Sequence, residues 1–224
     1  MEISIVITTF ERPRQLEKTL ASIRSQHAKA EIVVVDDGLD WETPIICKDV
    51  DVYRHLNRPR SQTYRNQAPV LNTGIKMATG DIVILQNAEC EHIDPYTISK
   101  LTSFVTEKSV VFARVLALTV SGEPWMTYCG QENPRPYFFC GAIYKKWLCD
   151  LGGFDEEFTG YGWEDNDMAD RLRRAGLSFS FTDVLVHHQW HESAGDMKEN
   201  GGELLYRRKQ TEDLVRNGGP LCLN

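Results

Sequence analysis

The N-terminal half of the chain alternates short apolar segments with segments of helical spacing. Ile3 to Thr8, Glu31 to Val35 and Ile82 to Leu85 are rich in β-branched residues, and Pro13 stands where a helix could begin after the first of them. Strands buried on both faces of a parallel sheet read as continuous apolar runs, and helices connect them. The alternation therefore predicts an α/β fold in which helices cover both faces of a mostly parallel sheet. Ligands of such sheets bind at the carboxyl ends of the strands.

The pattern changes after Asp94. It predicts a helix over 95–107, a strand over 110–119, a loop over 122–136, a helix over 164–175, a strand over 177–186 and a terminal helix over 202–217. The loop is rich in Pro, Gly, Tyr and Trp, which suits either a mobile lid or an ordered surface loop. Because no Gly/Ser-rich linker separates the two halves, we expect them to share one core.

The composition of the chain excludes several classes of protein. Its 224 residues contain 32 Asp and Glu against 25 Lys and Arg, so the formal net charge is −7 and no general polyanion-binding surface is indicated. No segment approaches the roughly 20 apolar residues of a membrane span. An acid follows Met1 where a signal peptide carries basic residues, so we expect a cytoplasmic protein. Six cysteines are scattered without a CxxC pair, which predicts buried free thiols rather than zinc ligands or disulfides.

An acidic segment lies in the second half. Asp150 to Asp170 contains eight acids and no Lys or Arg, a crowding that is costly unless a cation, a partner or water relieves it. Glu164 and Asp165 follow a turn of Gly, Tyr and Trp at the start of a predicted helix. Glycines allow a ligand to approach the backbone and aromatic rings stack on sugars, so we interpret these two carboxylates as functional. Asp167 and Asp170 are interpreted as favouring the helix dipole.

Polar segments also follow two of the predicted strands. Asp36-Asp37 could accept hydrogen bonds from a nucleoside, and a simple Asp-Asp-Gly turn is the alternative. Asn87-Ala88-Glu89 could hold a divalent metal beside a diphosphate, because hard cations prefer oxygen ligands.

Three of the six histidines are His187, His188 and His191, at the end of a predicted strand. Side chains alternate across a strand, so at most one of His187 and His188 points into a given site. We expect one of the three to be functional. The chain lacks the sequence patterns GxxxxGK[ST], GxGxxG, HExxH and GxSxG, which disfavours P-loop, dinucleotide-binding, zincin and serine-hydrolase chemistry.

Taken together, these segments resemble family 2-type glycosyltransferases of the GT-A fold. The matching segments follow the family order and span nearly the whole chain: 5–13, 33–38, 72–75, 78–89, 140–142, 152–158 and 160–172. The last is similar to the Gly-Trp-Gly-x-Glu-Asp region of β-1,4-galactosyltransferases, bacterial chondroitin polymerases and polypeptide N-acetylgalactosaminyltransferases. The resemblance implies a Rossmann-like nucleotide-binding sheet, mixed but mostly parallel, flanked by helices. It also implies a single domain over 1–224, with a nucleotide-sugar-binding half over 1–93 and an acceptor-binding, catalytic half over 94–224.

The resemblance further implies the residues that hold a nucleotide sugar, expected to be UDP-linked. These are Thr8, Thr9, Phe10, Glu11, Arg12, Asp36, Asp37, Asn72, Asn87, Ala88, Gly141 and Trp163. Glu89 falls on the last acid of the Asp-x-Asp motif, which is Asn-x-Glu here, and is the implied ligand of Mn²⁺ or Mg²⁺. His188 is the implied second ligand, with His191 as the other choice. Asp165 falls on the catalytic base of the inverting galactosyltransferases and Glu164 on the neighbouring acceptor-binding carboxylate.

The implied reaction is metal-dependent transfer of a sugar to an acceptor hydroxyl with inversion. Transfer with retention is the first alternative, and a nucleotidyltransferase or a non-catalytic carbohydrate-binding protein are the others. The acceptor could be a glycan, a peptide, a lipid-linked sugar or a modified nucleobase.

Overall fold

A computed structural model describes residues 1–58, 66–192 and 201–222 of the protein. The strands are β1 (Ile3–Thr9), β2 (Glu31–Asp36), β3 (Val52–His55), β4 (Ile82–Asn87), β5 (Cys90–His92), β6 (Ser109–Leu118), β7 (Pro124–Cys129), β8 (Cys140–Tyr144) and β9 (Ser178–His188). The helices are α1 (Pro13–Arg24), α2 (Glu42–Ile46), α3 (Ala68–Met77), α4 (Thr97–Ser103), α5 (Lys145–Asp150), α6 (Glu164–Arg174) and α7 (Gly202–Lys209). Among these described helices, none is both long enough and apolar enough to cross a membrane.

All of the described strands belong to one sheet, with the order β3-β2-β1-β4-β8-β6-β9-β5 and with β7 paired to β6. β1, β2, β3 and β4 are parallel, which confirms the parallel arrangement predicted for the first half. The register places Thr9 beside Asp36 and Thr8 beside Asn87. The polar segments that follow these strands therefore meet at one edge of the sheet.

The first half forms a close-packed core between sheet and helices. Leu16 and Leu20 of α1 are fully buried, as is the apolar centre of β1. α3 approaches β1 so closely that a Cβ on Gly74 would lie 2.2 Å from Cγ1 of Val6. A glycine at this helix position permits that contact.

The second half of the sheet is mixed. β8 is antiparallel to β4 and β6, whereas β9 is parallel to β6. β5 begins directly after Glu89 and pairs antiparallel with β9, with Cys90 opposite His188. This pairing brings the end of β4 to the end of β9, although the two strands are not neighbours in the sheet.

Several predicted boundaries are wrong. The predicted loop 122–136 contains β7, which pairs antiparallel with β6 across two irregularities in register. The predicted terminal helix 202–217 ends at Lys209. Beyond it the chain turns back so that Arg216 N donates to Leu151 O at 3.0 Å, and this long-range contact overrides local helical preference. The helix predicted over 95–107 is confined to α4.

The prediction of free thiols is wrong for two of the cysteines. Cys149 in α5 and Cys222 form a disulfide across 73 residues of sequence. The other four are buried thiols, namely Cys47, Cys90, Cys129 and Cys140. Burial raises the pKa of Cys47, Cys129 and Cys140 to about 12. These three are therefore unreactive thiols at neutral pH.

Cations from outside the acidic segment 150–170 relieve part of its crowding. Asp155 lies 2.7 Å from Lys209 Nζ and 3.0 Å from Arg216 Nε. Asp167 lies 2.7 Å from Arg171 Nε and 3.2 Å from Arg216 Nη2. All five side chains are buried. Arg171 belongs to α6 just beyond the segment, while Lys209 and Arg216 come from the C-terminal part of the chain.

Candidate active site

The C-terminal end of β1 is held by hydrogen bonds at the carboxyl ends of the strands. Thr8 Oγ1 donates to Gln67 Oε1 at 3.1 Å and lies 3.4 Å from Asn87 Oδ1. Ala88 N donates to Thr8 O at 3.0 Å. Thr9 Oγ1 is buried and has no hydrogen-bond partner among the described residues. A buried hydroxyl of this kind calls for a partner from water or a ligand.

The loop that follows β1 is more open. Phe10 is 37% exposed, and Glu11 is exposed with a φ of 52°. A left-handed conformation at a residue other than glycine is uncommon and gives the loop a sharp turn. The turn directs the chain from β1 into α1, whose N-cap residue is Arg12.

Asp36 and Asp37 are engaged within the protein. Asp36 accepts hydrogen bonds from Gly38 N at 2.7 Å and Tyr53 Oη at 2.8 Å. Burial raises the pKa of Asp36, and the bond from Tyr53 partly opposes the shift. Asp37 accepts from Arg58 Nε at 2.7 Å and also contacts Nη2 of that arginine. A nucleotide at this edge would meet Asp37 as part of an ion pair.

Glu89 lies at the centre of a charged cluster. Arg12 Nε is 3.3 Å from Glu89 Oε1, and His191 Nε2 is 3.8 Å from the same oxygen. Gln189 N donates to Glu89 O at 2.9 Å, which ties the segment after β9 to the segment after β4. The fold thus brings the three proposed metal ligands Glu89, His188 and His191 into one neighbourhood.

His188 is buried among rings. Its imidazole lies 5.1 Å from the ring of Tyr128, 5.5 Å from that of Phe139 and 5.3 Å from that of His191, measured between centroids. Burial lowers the pKa of His188 to about 4, reinforced by His191 and more weakly by Arg12. His188 is therefore neutral at pH 7, the form in which an imidazole binds a metal.

The proposed ligands suit a divalent metal in chemical type. A carboxylate and two imidazoles fit Mn²⁺ better than Mg²⁺, which prefers oxygen. No three His, Cys, Asp or Glu side chains of the described residues are grouped as a metal site. The guanidinium of Arg12 lies between Glu89 and His191, because its Nε is 3.3 Å from Glu89 Oε1 and its Nη2 is 3.2 Å from His191 Nδ1.

The acidic turn begins α6. Gly162 and Trp163 both have left-handed backbone conformations, with φ of 75° and 73°, and the helix starts at Glu164. Glu164 and Asp165 lie in its first turn, where the helix dipole favours negative charge. Left-handed geometry at a bulky residue is strained and is found mainly at functional sites.

The two carboxylates have different surroundings. Glu164 is buried and accepts a hydrogen bond from Asn66 Nδ2 at 2.8 Å. Asp165 is partly exposed, and the Phe138 backbone N–H donates to it. Burial raises the pKa of both groups, and the charge of Glu164 raises the pKa of Asp165 further. A partly exposed carboxylate with a raised pKa can act as a general base.

Aromatic side chains connect the carboxylates with the histidine cluster. Tyr161 is 53% exposed, and its pKa is raised by burial of its hydroxyl and then by the nearby Glu164, Tyr128, Tyr137 and Asp165. Tyr128 in turn contacts His188. Tyr161 is therefore near both carboxylates and Tyr128, and Tyr128 lies against His188. Tyr128 and Asn66 were missed by the sequence predictions, and the Tyr- and Trp-rich composition of 122–136 was the only signal for Tyr128.

Two predicted nucleotide-sugar residues are enclosed by protein. Asn72 is 1% exposed. Its Nδ2 donates hydrogen bonds to Phe154 O and Glu156 Oε1, both at 2.8 Å, and its Oδ1 accepts one from Phe154 N at 2.7 Å. Gly141 lies in β8, where a Cβ would meet the Phe112 ring at 3.1 Å. A contact of either residue with a ligand would require these neighbours to move.

Trp163 is supported from the C-terminal part of the chain. Its ring lies 5.2 Å from that of Tyr206 in α7, and the Tyr206 hydroxyl donates to Asp170. Tyr206 is thus a further site-supporting residue that the sequence predictions missed. Nothing in the local pattern of α7 marks it, because the contact depends on packing of α7 against α6.

Comparison with known proteins identifies the family. Residues 4–154 match the family described as glycosyl transferase family 2. This match covers more than half of the chain. The chain belongs to glycosyl transferase family 2. Residues 126–192 also match the family described as the N-terminal domain of galactosyltransferase, and this stretch includes Glu164, Asp165 and His188.

Individual proteins are similar to this family 2 chain over different shares of its length. Hyaluronan synthase of Pasteurella multocida is 26% identical over 97% of this chain, which spans only 27% of that protein's length. Human beta-1,4-galactosyltransferase 3 is 32% identical over 44% of this chain and 30% of its own. The solved structure of GalNAc-T7 with UDP, GalNAc and Mn²⁺ superposes with a TM-score of 0.67 at 14% identity, covering 94% of this chain and 51% of that one. The last likeness confirms the predicted GT-A fold.

Proposed function

We propose that this chain is the catalytic domain of a metal-dependent glycosyltransferase that moves a sugar from a UDP-sugar to an acceptor hydroxyl with inversion. The observation that carries the proposal is the carboxylate pair Glu164–Asp165 at the start of α6. Tyr161 lies near both carboxylates and near Tyr128, whose ring lies against that of His188. This proximity supports assigning the proposed base and the proposed metal ligands to one site.

The chain's own residues supply most of the proposed chemistry. Asp165 accepts the proton of the acceptor hydroxyl while that oxygen attacks the anomeric carbon, and UDP leaves from the opposite face. Glu164 positions the acceptor, and the loop Thr8–Arg12 holds the nucleotide. Glu89 with His188 or His191 would hold the Mn²⁺ or Mg²⁺, which supplies positive charge opposite the diphosphate.

The similar structures support a nucleotide sugar and a divalent metal as ligands. They do not identify the sugar or the acceptor that this chain uses. The GalNAc-T7 structure contains UDP and Mn²⁺, and the S. aureus TarS structure contains UDP-GlcNAc. The name of hyaluronan synthase favours a growing glycan as the first acceptor to test. We retain residues 1–93 as the proposed donor half and 94–224 as the proposed acceptor half. The cytoplasmic location expected from the sequence also stays a prediction.

Calorimetry with UDP tests the donor part of the proposal. We expect UDP to bind in Mn²⁺ and to bind at least about 10-fold more weakly in EDTA, the scale expected when metal coordination is lost. Equal binding in EDTA would contradict metal dependence. Absence of any nucleotide binding would refute the function.

Transfer assays test the reaction. A panel of UDP-sugars with oligosaccharide acceptors should yield a glycoside, and NMR of the new anomeric proton should show inversion. Retention would remove Asp165 from the role of base. A reaction that requires a nucleoside triphosphate would favour the nucleotidyltransferase alternative, and sugar binding without transfer would favour the non-catalytic one.

A further inference from the structure

A cation of the chain itself lies among the proposed metal ligands. Arg12 Nε is 3.3 Å from Glu89 Oε1, while Nη2 is 3.2 Å from His191 Nδ1 and 3.0 Å from Glu192 O. The side chains of Arg12 and Glu89 are only 18% and 13% exposed. Charges this far from water attract each other more strongly than a surface pair does.

The contact between Arg12 and Glu89 is ionic but poorly aligned. Arg12 Nε is buried and has no hydrogen-bond partner in the described part of the chain, although it is within ion-pair distance of Glu89. Guanidinium groups bind carboxylates best through two parallel hydrogen bonds. Arg12 therefore neutralises the charge of Glu89 but lacks the two parallel hydrogen bonds of a stable arginine–carboxylate pair.

The position of the guanidinium is set by its surroundings. Arg12 is the N-cap residue of α1, and its Nη1 donates to Glu11 O at 3.0 Å. The segment after β9 is fastened to the same helix, since Gln15 Nε2 donates to Trp190 O and Gln189 Nε2 donates to Gln15 O. These bonds keep His191 and Glu89 on either side of Arg12.

We propose that Arg12 is the resident counter-cation of Glu89 in the nucleotide-free protein and competes directly with a divalent metal for that carboxylate. A guanidinium and a divalent ion repel each other at contact distance, so metal binding displaces Arg12 from Glu89. The displaced guanidinium remains at the strand ends, where the diphosphate of a nucleotide sugar would neutralise it. The inference rests on the proposed metal site and adds that a cation of the chain itself competes for Glu89.

Titration with Mn²⁺ alone, followed by the EPR signal of free Mn²⁺, tests the competition without any enzymatic assay. We expect Arg12→Gln to bind Mn²⁺ at least 10-fold more tightly than the wild type in the absence of nucleotide. Arg12→Lys keeps the charge and should stay close to the wild type. Arg14→Gln removes an exposed arginine of the same helix and should leave the affinity unchanged.

Glu89→Gln in the Arg12→Gln background should abolish the gain, because the gain is assigned to Glu89. Unchanged or weaker Mn²⁺ binding by Arg12→Gln would overturn the proposal, as would equal tightening by Arg12→Lys. Arg12→Leu repeats the charge removal if Arg12→Gln does not fold, which thermal unfolding checks.

Calorimetry of UDP binding in the presence of Mn²⁺ separates this inference from the proposed function. Tighter Mn²⁺ binding by Arg12→Gln in a protein that binds no UDP would support the competition and refute the function. UDP binding by the wild type, with the same Mn²⁺ affinity in Arg12→Gln as in the wild type, would support the function and refute the competition. Failure of all these proteins to bind Mn²⁺ would overturn the inference.

Discussion

Replacement of Asp167 by Asn tests how the acidic segment is stabilised. Asp167 and Asp155 are the carboxylates of the buried ion cluster described above, and Arg171, Lys209 and Arg216 are its cations, each at most 5% exposed. Each carboxylate contacts two of the cations, and Arg216 contacts both carboxylates. Loss of Asp167 leaves three buried cations beside one buried carboxylate.

The structure sets the size of the expected effect. Removing one partner of a buried ion pair typically costs about 3–5 kcal/mol, because the remaining charge stays buried without compensation. The amide of Asn keeps the size of the side chain, so packing changes little. For a chain of this length, 1 kcal/mol shifts Tm by about 2–4 °C. We therefore expect Asp167→Asn to lower Tm by about 6–20 °C.

Urea unfolding with the disulfide intact measures the loss. The control is Asp150→Asn, which breaks an exposed ion pair with Lys146 and should cost about 0–1 kcal/mol. The m-value should be the same for both variants, since the surface exposed on unfolding does not change. If Asp167→Asn lowered the free energy of unfolding by less than about 1 kcal/mol, as the control does, the buried carboxylate would not be needed to compensate the buried cations, and the reasoning would be refuted.

Three further predictions concern other parts of the molecule. Asp165→Asn should lower transfer turnover by about 10²-fold or more while UDP affinity is kept, and the acid limb of the wild-type pH–rate profile should lie above the usual carboxyl range because the pKa of Asp165 is raised. Full activity of Asp165→Asn would contradict its role. Burial lowers the pKa of His92 to about 4, so below pH about 6.5 the unfolded state takes up a proton that the folded state does not. Between pH 7 and pH 4 the wild type should therefore lose up to about 3 kcal/mol of unfolding free energy relative to His92→Gln, and parallel pH dependences in urea unfolding would contradict this. Thiol titration of the denatured, unreduced chain should detect four thiols rather than six. Cys222→Ser should lower stability by about 2–4 kcal/mol, and an unchanged unfolding midpoint would contradict a structural role for the disulfide.

Much of the first half was predictable because its signals are local. β1, β2 and β4 are apolar segments whose burial on both faces follows from their own residues, and α1 carries its apolar spacing within one segment. The start of α6 at Glu164 was also visible, since the acids of its first turn suit the helix N-terminus. Elements of this kind need no knowledge of the rest of the chain.

Elements stabilised by distant partners were missed. The first residues of β7 are exposed, so buried and exposed side chains do not alternate clearly along it. The strand forms because it pairs with β6. The path after Lys209 depends on ion pairs of Arg216 with Asp155 and Asp167. The disulfide of Cys149 and Cys222 follows from the same return of the chain to α5.

The sequence by itself determined which chemical groups the candidate site has available: the acids after β2 and β4, the histidines at the end of β9 and the carboxylate pair of α6. Only the tertiary structure decided how they are arranged. Pairing of β5 with β9 brings Glu89 to His188, and Arg12 lies 3.3 Å from Glu89 across 77 positions of the chain. Local propensity records what each segment favours on its own. The free energy of a buried ion pair or a ring contact depends on both partners and on the water excluded between them, so it exists only once the chain has brought those partners together.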